Sequence, residues 1–264
     1  MGDRPTTGKD FAVIQETIIE KIAEIETSRN VRVLHAVESG SRAWGFSSPD
    51  SDYDVRFIYV RQAEEYLKLN PGRDVIEWQL DETLDINGWD LQKTLILLHK
   101  SNPTLFEWSN SPIVYKTTPE WGRIAGISPK YFLSKPGMYH YLSMAGRNYR
   151  EYLKGEFVPV KKYLYVLRPI LACKWILAFG TPPPMQFSEL VKSRLEPEML
   201  PVIERLLEIK TGSPETKRLP QMKEINDYIE RVLPELEAQA SLAPGEKKQG
   251  FDELNEVFLS ILRV

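Results

Sequence analysis

The amino-acid sequence predicts an α+β fold, in which a mixed β-sheet with flanking helices is followed by an all-helical half. Two observations predict it. Short β-branched, half-apolar runs bounded by turn residues occur between residues 31 and 87, where they predict strands. From about residue 118 onward, apolar residues at helical spacing replace the strand patterns. We therefore expect a sheet-containing domain over residues 1–117 and a helical domain over residues 118–264.

The first half opens with a predicted helix over residues 10–27, whose apolar side chains recur at helical spacing and form a core-facing stripe. Four predicted strands follow it, over residues 31–38, 53–60, 75–80 and 83–87. The last two form a predicted hairpin with its turn at Asp81. A helix over residues 90–100 then begins with Asp90 as its N-cap.

The second half carries predicted helices and no predicted strand. The helices cover residues 136–154, 160–179, 187–195, 197–210, 219–233 and 251–262. A Pro-rich segment at residues 181–184 predicts a stiff turn between two of them. Residues 241–250 predict a flexible loop before the last helix.

The composition is that of an ordinary globular protein of 264 residues, with 42% hydrophobic residues to build a core. The formal net charge of −3 excludes a protein that coats nucleic acid through net charge alone, although a local basic face can still bind it. The single Cys173 permits no intramolecular disulfide, so we expect a cytoplasmic protein. Charged residues and Pro169 break the most apolar run, and we expect no contact with a membrane.

Several common enzyme classes are excluded by missing motifs. Three isolated histidines and one cysteine give no zinc site. No Walker-type loop, nucleophile elbow or dinucleotide fingerprint follows any predicted strand.

The most informative motif is a Gly40-Ser41 turn followed by the carboxylate pair Asp52 and Asp54 at the start of an apolar strand. Side chains alternate along a strand, so both carboxylates share one face with Arg56. Two carboxylates about 6 to 7 Å apart repel each other unless a cation lies between them. Their hard oxygen atoms suit Mg²⁺ (or Mn²⁺), which predicts a metal site.

The Gly40-Ser41 turn ends one strand and begins a predicted short helix. Its backbone N–H groups and the Ser41 hydroxyl can face an anion such as the β- and γ-phosphates of a triphosphate. With metal ions on the carboxylates, an acceptor hydroxyl can attack the α-phosphate in line while pyrophosphate leaves. The motif therefore favours nucleotidyl transfer, although an Asp-x-Asp pair or a Gly-Ser turn alone is more often structural.

This motif resembles that of the DNA polymerase beta nucleotidyltransferase superfamily. The longer string from Gly40 to Tyr59 resembles the RNA-repair-associated, RlaP-like branch of predicted nucleotidyltransferases. Further resembling pieces are found at residues 85–93, 102–103, 107–108, 111–115 and 162–169. The resemblance implies a polymerase-beta-like mixed sheet in the first domain, a divalent metal and an NTP donor.

The superfamily supplies a third carboxylate from a neighbouring strand, which binds one metal and orients or deprotonates the attacking hydroxyl. We assign that role to Asp85, because it alternates with apolar residues and faces away from them. Asp90 and Asp81 are alternatives, better explained as a helix N-cap and a turn residue. The resemblance thus implies that Asp52, Asp54 and Asp85 are both catalytic residues and metal ligands.

Five basic residues are candidates for nucleotide binding. Arg42 adjoins the Gly-Ser turn, and Arg56 on the carboxylate face can bridge a phosphate or pair with a carboxylate. Lys93, early in its helix, could reach the triphosphate. Lys162 and Arg168 belong to a stretch where basic residues and tyrosines alternate, as suits phosphates and bases. A solvated cationic helix face explains that stretch equally well.

The acceptor is less defined than the chemistry. The branch resemblance and the basic-aromatic stretch favour an RNA 3′ end. A protein hydroxyl or a small-molecule hydroxyl is the alternative. A catalytically silent nucleotide or RNA sensor is the alternative of another class, although the complete acidic set opposes it.

Overall fold

The structure, a computed structural model, describes residues 8–70, 72–79 and 83–263. The turn predicted at Asp81 lies outside the described residues. No helix in the described ranges is both long and apolar enough to cross a membrane.

A mixed five-stranded sheet forms the centre of the first half, in the order β3-β4-β2-β1-β5. The strands are β1 Val31–Glu38, β2 Tyr53–Arg61, β3 Val75–Gln79, β4 Leu84–Asp90 and β5 Val114–Thr117. Strand β2 pairs with β4 in parallel, and the other neighbours are antiparallel. The first four strands confirm the predicted ones, including the hairpin of β3 and β4. Strand β5 was not predicted, because its short run is half exposed.

The α-helices of the described residues flank the sheet and fill the second half. They are α1 Gly8–Arg29, α2 Gly40–Trp44, α3 Ala63–Tyr66, α4 Leu91–His99, α5 Pro103–Ser109, α6 Pro119–Ile127, α7 Ser134–Tyr152, α8 Val160–Phe179, α9 Phe187–Arg194, α10 Leu200–Thr211, α11 Lys223–Leu242 and α12 Asp252–Leu262. Asp90 caps α4 by accepting a hydrogen bond from the Gln92 amide at 2.8 Å. That contact supports the N-cap assignment of Asp90.

The second half differs from its prediction in several details, among them helix α6, which was not predicted, and the start of α11 at Lys223. Helix α11 continues through Pro234 to Leu242, because apolar residues beyond the proline, such as Leu236, are buried and favour continuing the helix. Strands β6 Phe157–Pro159 and β7 Arg218–Pro220 form a small antiparallel sheet in a half that we predicted to be all-helical. Three residues per strand are too few to produce a detectable alternation.

The central sheet is buried on both faces by different helices. On one face, Val55 and Phe57 of β2 belong to an apolar cluster with Ile18 of α1. On the other face, Ile58 of β2 belongs to a larger cluster that includes Leu164 of α8. The two halves of the chain therefore share a core, and the division at residue 117 stays a proposal.

Candidate active site

Two of the three predicted catalytic carboxylates lie side by side on the sheet. In the parallel pairing of β2 with β4, Asp54 lies opposite Asp85. Asp54 has the strand parity of Ile58, so it points to the face that the helical half covers. Asp52 lies in the exposed position just before Tyr53 begins β2.

Arg56 joins the two strands at this point. Its Nη2 atom donates to Oδ1 of Asp54 at 2.9 Å and to Oδ2 of Asp85 at 2.8 Å. Its Nη1 atom donates to the backbone oxygen atoms of Val55 and Asp85, each at 3.0 Å. The guanidinium therefore lies between the carboxylates. Pairing with a carboxylate is one of the two roles that the sequence predicted for Arg56.

The pKa of Asp54 reflects the charged groups around it. Burial raises the pKa of Asp54, the Arg56 guanidinium opposes that rise, and the charges of Asp85 and Asp52 add to it. A cation near the three carboxylates therefore favours the ionised form of Asp54.

Gly40 packs against Asp54 where no other residue fits. Its φ of +59° lies in the left-handed region, and a Cβ atom placed on it would be 1.9 Å from Oδ2 of Asp54. The Ser39 amide also donates to the Asp54 backbone oxygen at 2.8 Å. Ser41, the next residue, is a buried residue of α2. The Gly-Ser turn therefore lies directly against Asp54.

A buried glutamate behind the sheet holds Asp54 in place. Oε1 of Glu38 accepts a hydrogen bond from the Asp54 amide at 2.8 Å, and Oε2 accepts one from the Tyr115 hydroxyl at 2.5 Å. Burial raises the pKa of Glu38 to about 7, although the hydrogen bond from Tyr115 lowers it. Glu38 therefore supports the backbone of a candidate catalytic residue without facing the site.

The loop before β2 is anchored by the helical half. The Nζ atom of Lys210 donates to the Ser48 hydroxyl and, at 2.6 Å, to Glu215. The Ser51 hydroxyl donates to the same Glu215 oxygen, and the Glu215 amide donates to Asp50 at 2.9 Å. Lys210 is only 2% exposed, so this anchor, the Lys210–Glu215 clamp, is built into the core.

The Arg42 side chain contacts the same loop. It donates to the backbone oxygen of Ser51 at 2.5 Å and to that of Asp52 at 3.0 Å. Its guanidinium also lies 3.7 Å from the centre of the Tyr53 ring. These contacts place Arg42 where it sets the position of Asp52.

Helix α8 brings an aromatic and a basic residue toward the carboxylates. Burial raises the pKa of Tyr165 to about 12, and the charges of Glu215, Asp54 and Asp52 add to the shift. Lys162, one turn earlier on α8, has its Nζ atom 5.1 Å from the Tyr165 ring and 3.8 Å from the Tyr152 ring. Burial lowers the pKa of Lys162.

Two predicted nucleotide-binding residues lie elsewhere. Lys93 follows the far end of β4 from Asp85 and pairs with Asp74 at 3.0 Å. Arg168 is 2% exposed, donates to Glu107 at 2.9 Å and lies over the Trp44 ring at 4.7 Å. Both cations already have carboxylate partners in this structure.

The donor chemistry of the three carboxylates fits a divalent cation, because Mg²⁺ and Mn²⁺ prefer hard oxygen ligands. Over residues 8–70, 72–79 and 83–263, no three His, Cys, Asp or Glu side chains are placed to hold an ion together. The position between Asp54 and Asp85 is taken by Arg56.

The sequence prediction missed Glu38, Tyr115, Lys210 and Glu215. Glu38 was detectable, since it ends an otherwise apolar strand directly before the Gly-Ser turn. Lys210 and Glu215 had no local signal, because their partners lie more than 150 positions earlier in the chain.

A comparison with protein families places the chain in one of them. The family model described as RlaP, RNA repair pathway DNA polymerase beta family, matches residues 14–260. The uncharacterized protein YcgL of Bacillus subtilis (strain 168) is 45% identical over 251 residues, which cover 94% of this chain and 96% of that protein. A crystal structure of a nucleotidyltransferase-like protein from Exiguobacterium sibiricum 255-15 covers 93% of this chain and 80% of its own, with 11% identity and a TM-score of 0.33.

Proposed function

The chain belongs to RlaP, the RNA repair pathway DNA polymerase beta family of nucleotidyltransferases, and from this premise we propose that it joins a nucleoside monophosphate from an NTP to an RNA 3′ end. The bond formed is between the α-phosphorus and the acceptor oxygen. The bond broken is that to the leaving pyrophosphate.

One observation carries the proposal. Asp54 and Asp85 are placed opposite each other by the parallel register of β2 and β4, and Gly40 packs against Asp54 with no room for a side chain. Metal ligands and a phosphate-binding turn are thus proposed for adjoining positions, as transfer at an α-phosphate requires.

We propose that Asp52 and Asp54 hold two divalent cations and that Asp85 contributes to one of them. When bound, Mg²⁺ or Mn²⁺ neutralises phosphate charge and lowers the pKa of the attacking hydroxyl. The fit lies in the chemistry of the donor set, since all three side chains are carboxylates and two of them, Asp54 and Asp85, contact the same Arg56 nitrogen.

The chain's own residues then have separate tasks. Asp85, whose side chain is 55% exposed, orients the acceptor hydroxyl and accepts its proton. The Gly40-Ser41 turn holds the β- and γ-phosphates. Arg42 and the Lys210–Glu215 clamp keep Asp52 in position. We include neither Lys93 nor Arg168 among the nucleotide contacts, because Lys93 lies beyond the far end of β4 from Asp85 and Arg168 is buried.

The acceptor assignment has two supports. The family description refers to RNA repair. In addition, Tyr165, Lys162 and Tyr152 form an aromatic and basic line that leads away from the carboxylates along α8 and α7. Tyrosine rings can stack on bases of any sequence, and the Lys162 ammonium can hold a phosphate between them. The helical half, residues 118–264, is in this proposal the acceptor-binding domain of a cytoplasmic enzyme.

The test is incubation with each α-labelled NTP and Mg²⁺ or Mn²⁺, in separate reactions with an RNA pool and a protein pool. We expect label at RNA 3′ ends. Asp54→Asn should reduce it by at least about 100-fold, since even residues behind metal ligands cost 10- to 100-fold. Asp227→Asn, the same change at an exposed position on α11, is the control and should be fully active.

Label on the protein pool would replace RNA by a protein hydroxyl as the acceptor. NTP binding without label in either pool would contradict transfer and favour a silent sensor. Full activity in Asp54→Asn would show that the carboxylates are not the active site.

A further inference from the structure

Arg56 lies where the proposed function needs a metal ion. We propose that Arg56 is an internal counter-cation of the acidic site, which competes with a divalent cation for Asp54 and Asp85 and must leave before that cation binds between them. This inference rests on the proposed function, because it concerns how metal access to that site is controlled.

The guanidinium is held firmly in this position. A single nitrogen, Nη2, contacts both carboxylates, at 2.9 Å from Asp54 and 2.8 Å from Asp85. The other terminal nitrogen donates to two backbone oxygen atoms of the neighbouring strands. With 18% of the side chain exposed, Arg56 is part of the sheet surface and not a loose surface group.

Charge explains why a cation is needed here. Asp54 and Asp85 lie opposite each other on paired strands, and Asp52 lies two residues before Asp54 in the chain. Among the described residues, Arg56 is the ion-pair partner of both strand carboxylates, while Asp52 has no ion pair. Arg56 therefore offsets the repulsion between Asp54 and Asp85.

The same geometry makes Arg56 and a metal ion competitors. A divalent cation held by Asp54 and Asp85 would compete with Arg56 for these carboxylates, whose Oδ1 and Oδ2 atoms, respectively, Nη2 contacts. Two cations cannot share those oxygen atoms at contact distance without strong repulsion.

Displacement of Arg56 by a metal ion would also link metal binding to nucleotide binding. A guanidinium that has lost its carboxylates needs another anionic partner, and a triphosphate bound at Gly40 is the anion brought closest to it. Metal and NTP should therefore favour each other's binding, since the NTP stabilises the displaced Arg56. The metal ion alone should bind weakly.

The test measures Mn²⁺ binding by electron paramagnetic resonance, with the full chain and no nucleotide present. Arg56→Met should bind Mn²⁺ at least about tenfold more tightly than the wild type, because a nearby positive charge is gone. The control is Arg61→Met, which changes an arginine of the same strand that pairs with Asp90 at 3.3 Å, and its Mn²⁺ affinity should equal that of the wild type. Unchanged or weaker Mn²⁺ binding in Arg56→Met overturns the proposal.

Two further variants separate charge from folding. Arg56→Gln keeps a hydrogen-bond donor without the charge and should also bind Mn²⁺ more tightly. Arg56→Lys keeps the charge and should stay near the wild-type affinity. Circular dichroism establishes that each variant is folded, and equal affinities in the Gln and Lys variants would contradict the counter-cation.

The two proposals fail in different ways. If no NTP is ever transferred but Arg56→Met still binds Mn²⁺ more tightly, the proposed function is wrong and the counter-cation stands. If the wild type transfers NMP and Arg56→Met binds Mn²⁺ like the wild type, the counter-cation is wrong and the proposed function stands.

Discussion

Replacing Glu38 by Gln should change how the stability of the protein depends on pH. Burial raises the pKa of Glu38 from 4.5 to about 7, so the folded state retains a proton that the unfolded state has lost. This stabilising effect is complete below pH 4.5 and is lost as the pH rises to about 7. A shift of this size corresponds to about 3 kcal/mol of unfolding free energy.

His35, on the same strand, acts in the opposite direction. Burial lowers its pKa from 6.5 to about 4, and its ring stacks on Trp121 at 4.6 Å between centroids. Its contribution is complete above pH 6.5 and is lost as the pH falls toward 4. In the wild type, the effects of Glu38 and His35 on how unfolding free energy changes with pH nearly cancel between pH 4.5 and pH 6.5. In Glu38→Gln the His35 slope remains, and stability should rise by about 1.4 kcal/mol per pH unit.

The assay measures urea unfolding through tryptophan fluorescence, at several pH values between about 4.5 and about 7.5. The difference in unfolding free energy between Glu38→Gln and the wild type should grow by about 3 kcal/mol across that range, in favour of the variant. Glu237→Gln, at an exposed position on α11, is the control for loss of a carboxylate. A difference that stays constant with pH refutes the assigned burial of an ionisable Glu38.

Three other substitutions test the site and its supports. Gly40→Ala should lose at least about tenfold in transfer rate and about 1–3 kcal/mol in thermal stability, because its φ of +59° is strained for alanine and the methyl group meets Asp54. Glu215→Gln should lower unfolding free energy by about 3 kcal/mol, since it leaves a buried lysine without its carboxylate; wild-type stability would contradict the clamp. Arg168→Met should cost about 3–5 kcal/mol in denaturant unfolding, because Glu107 loses its partner. The KM for NTP should be unchanged in that variant, and a raised KM would restore Arg168 as a nucleotide contact.

Local patterns predicted the elements of the site, but not how they meet. Strand alternation was enough to place Asp54 and Arg56 on one face, because side-chain direction along a strand depends only on neighbouring residues. The parallel pairing that brings Asp85 opposite Asp54 joins strands that are not consecutive in the chain, which no local pattern reveals. Arg168 was predicted as a nucleotide contact in a basic stretch, whereas the structure pairs it with Glu107, which lies 61 positions away.

Prolines and buried polar residues set a further limit to prediction. Proline normally ends a helix, so the sequence predicted an end at Leu233, but burial of later residues such as Leu236 kept α11 helical through Pro234. Glu38 stands out at the end of its strand, but its partner, the Asp54 backbone amide, could not be predicted, because the sequence does not show which amide a carboxylate accepts from.

The Lys210–Glu215 clamp also bears on when the site is completed during synthesis. Ser51 and Glu215 are 164 positions apart, so the ribosome makes most of the chain before the loop that leads to Asp52 can be anchored. The helical half also covers one face of the sheet, so Asp54 and Asp85 gain their full surroundings only after that half has been made. Completion of the acidic site is therefore a late event in the life of the nascent chain, and chains cut short before residue 215 should carry the carboxylates without the capacity to use them.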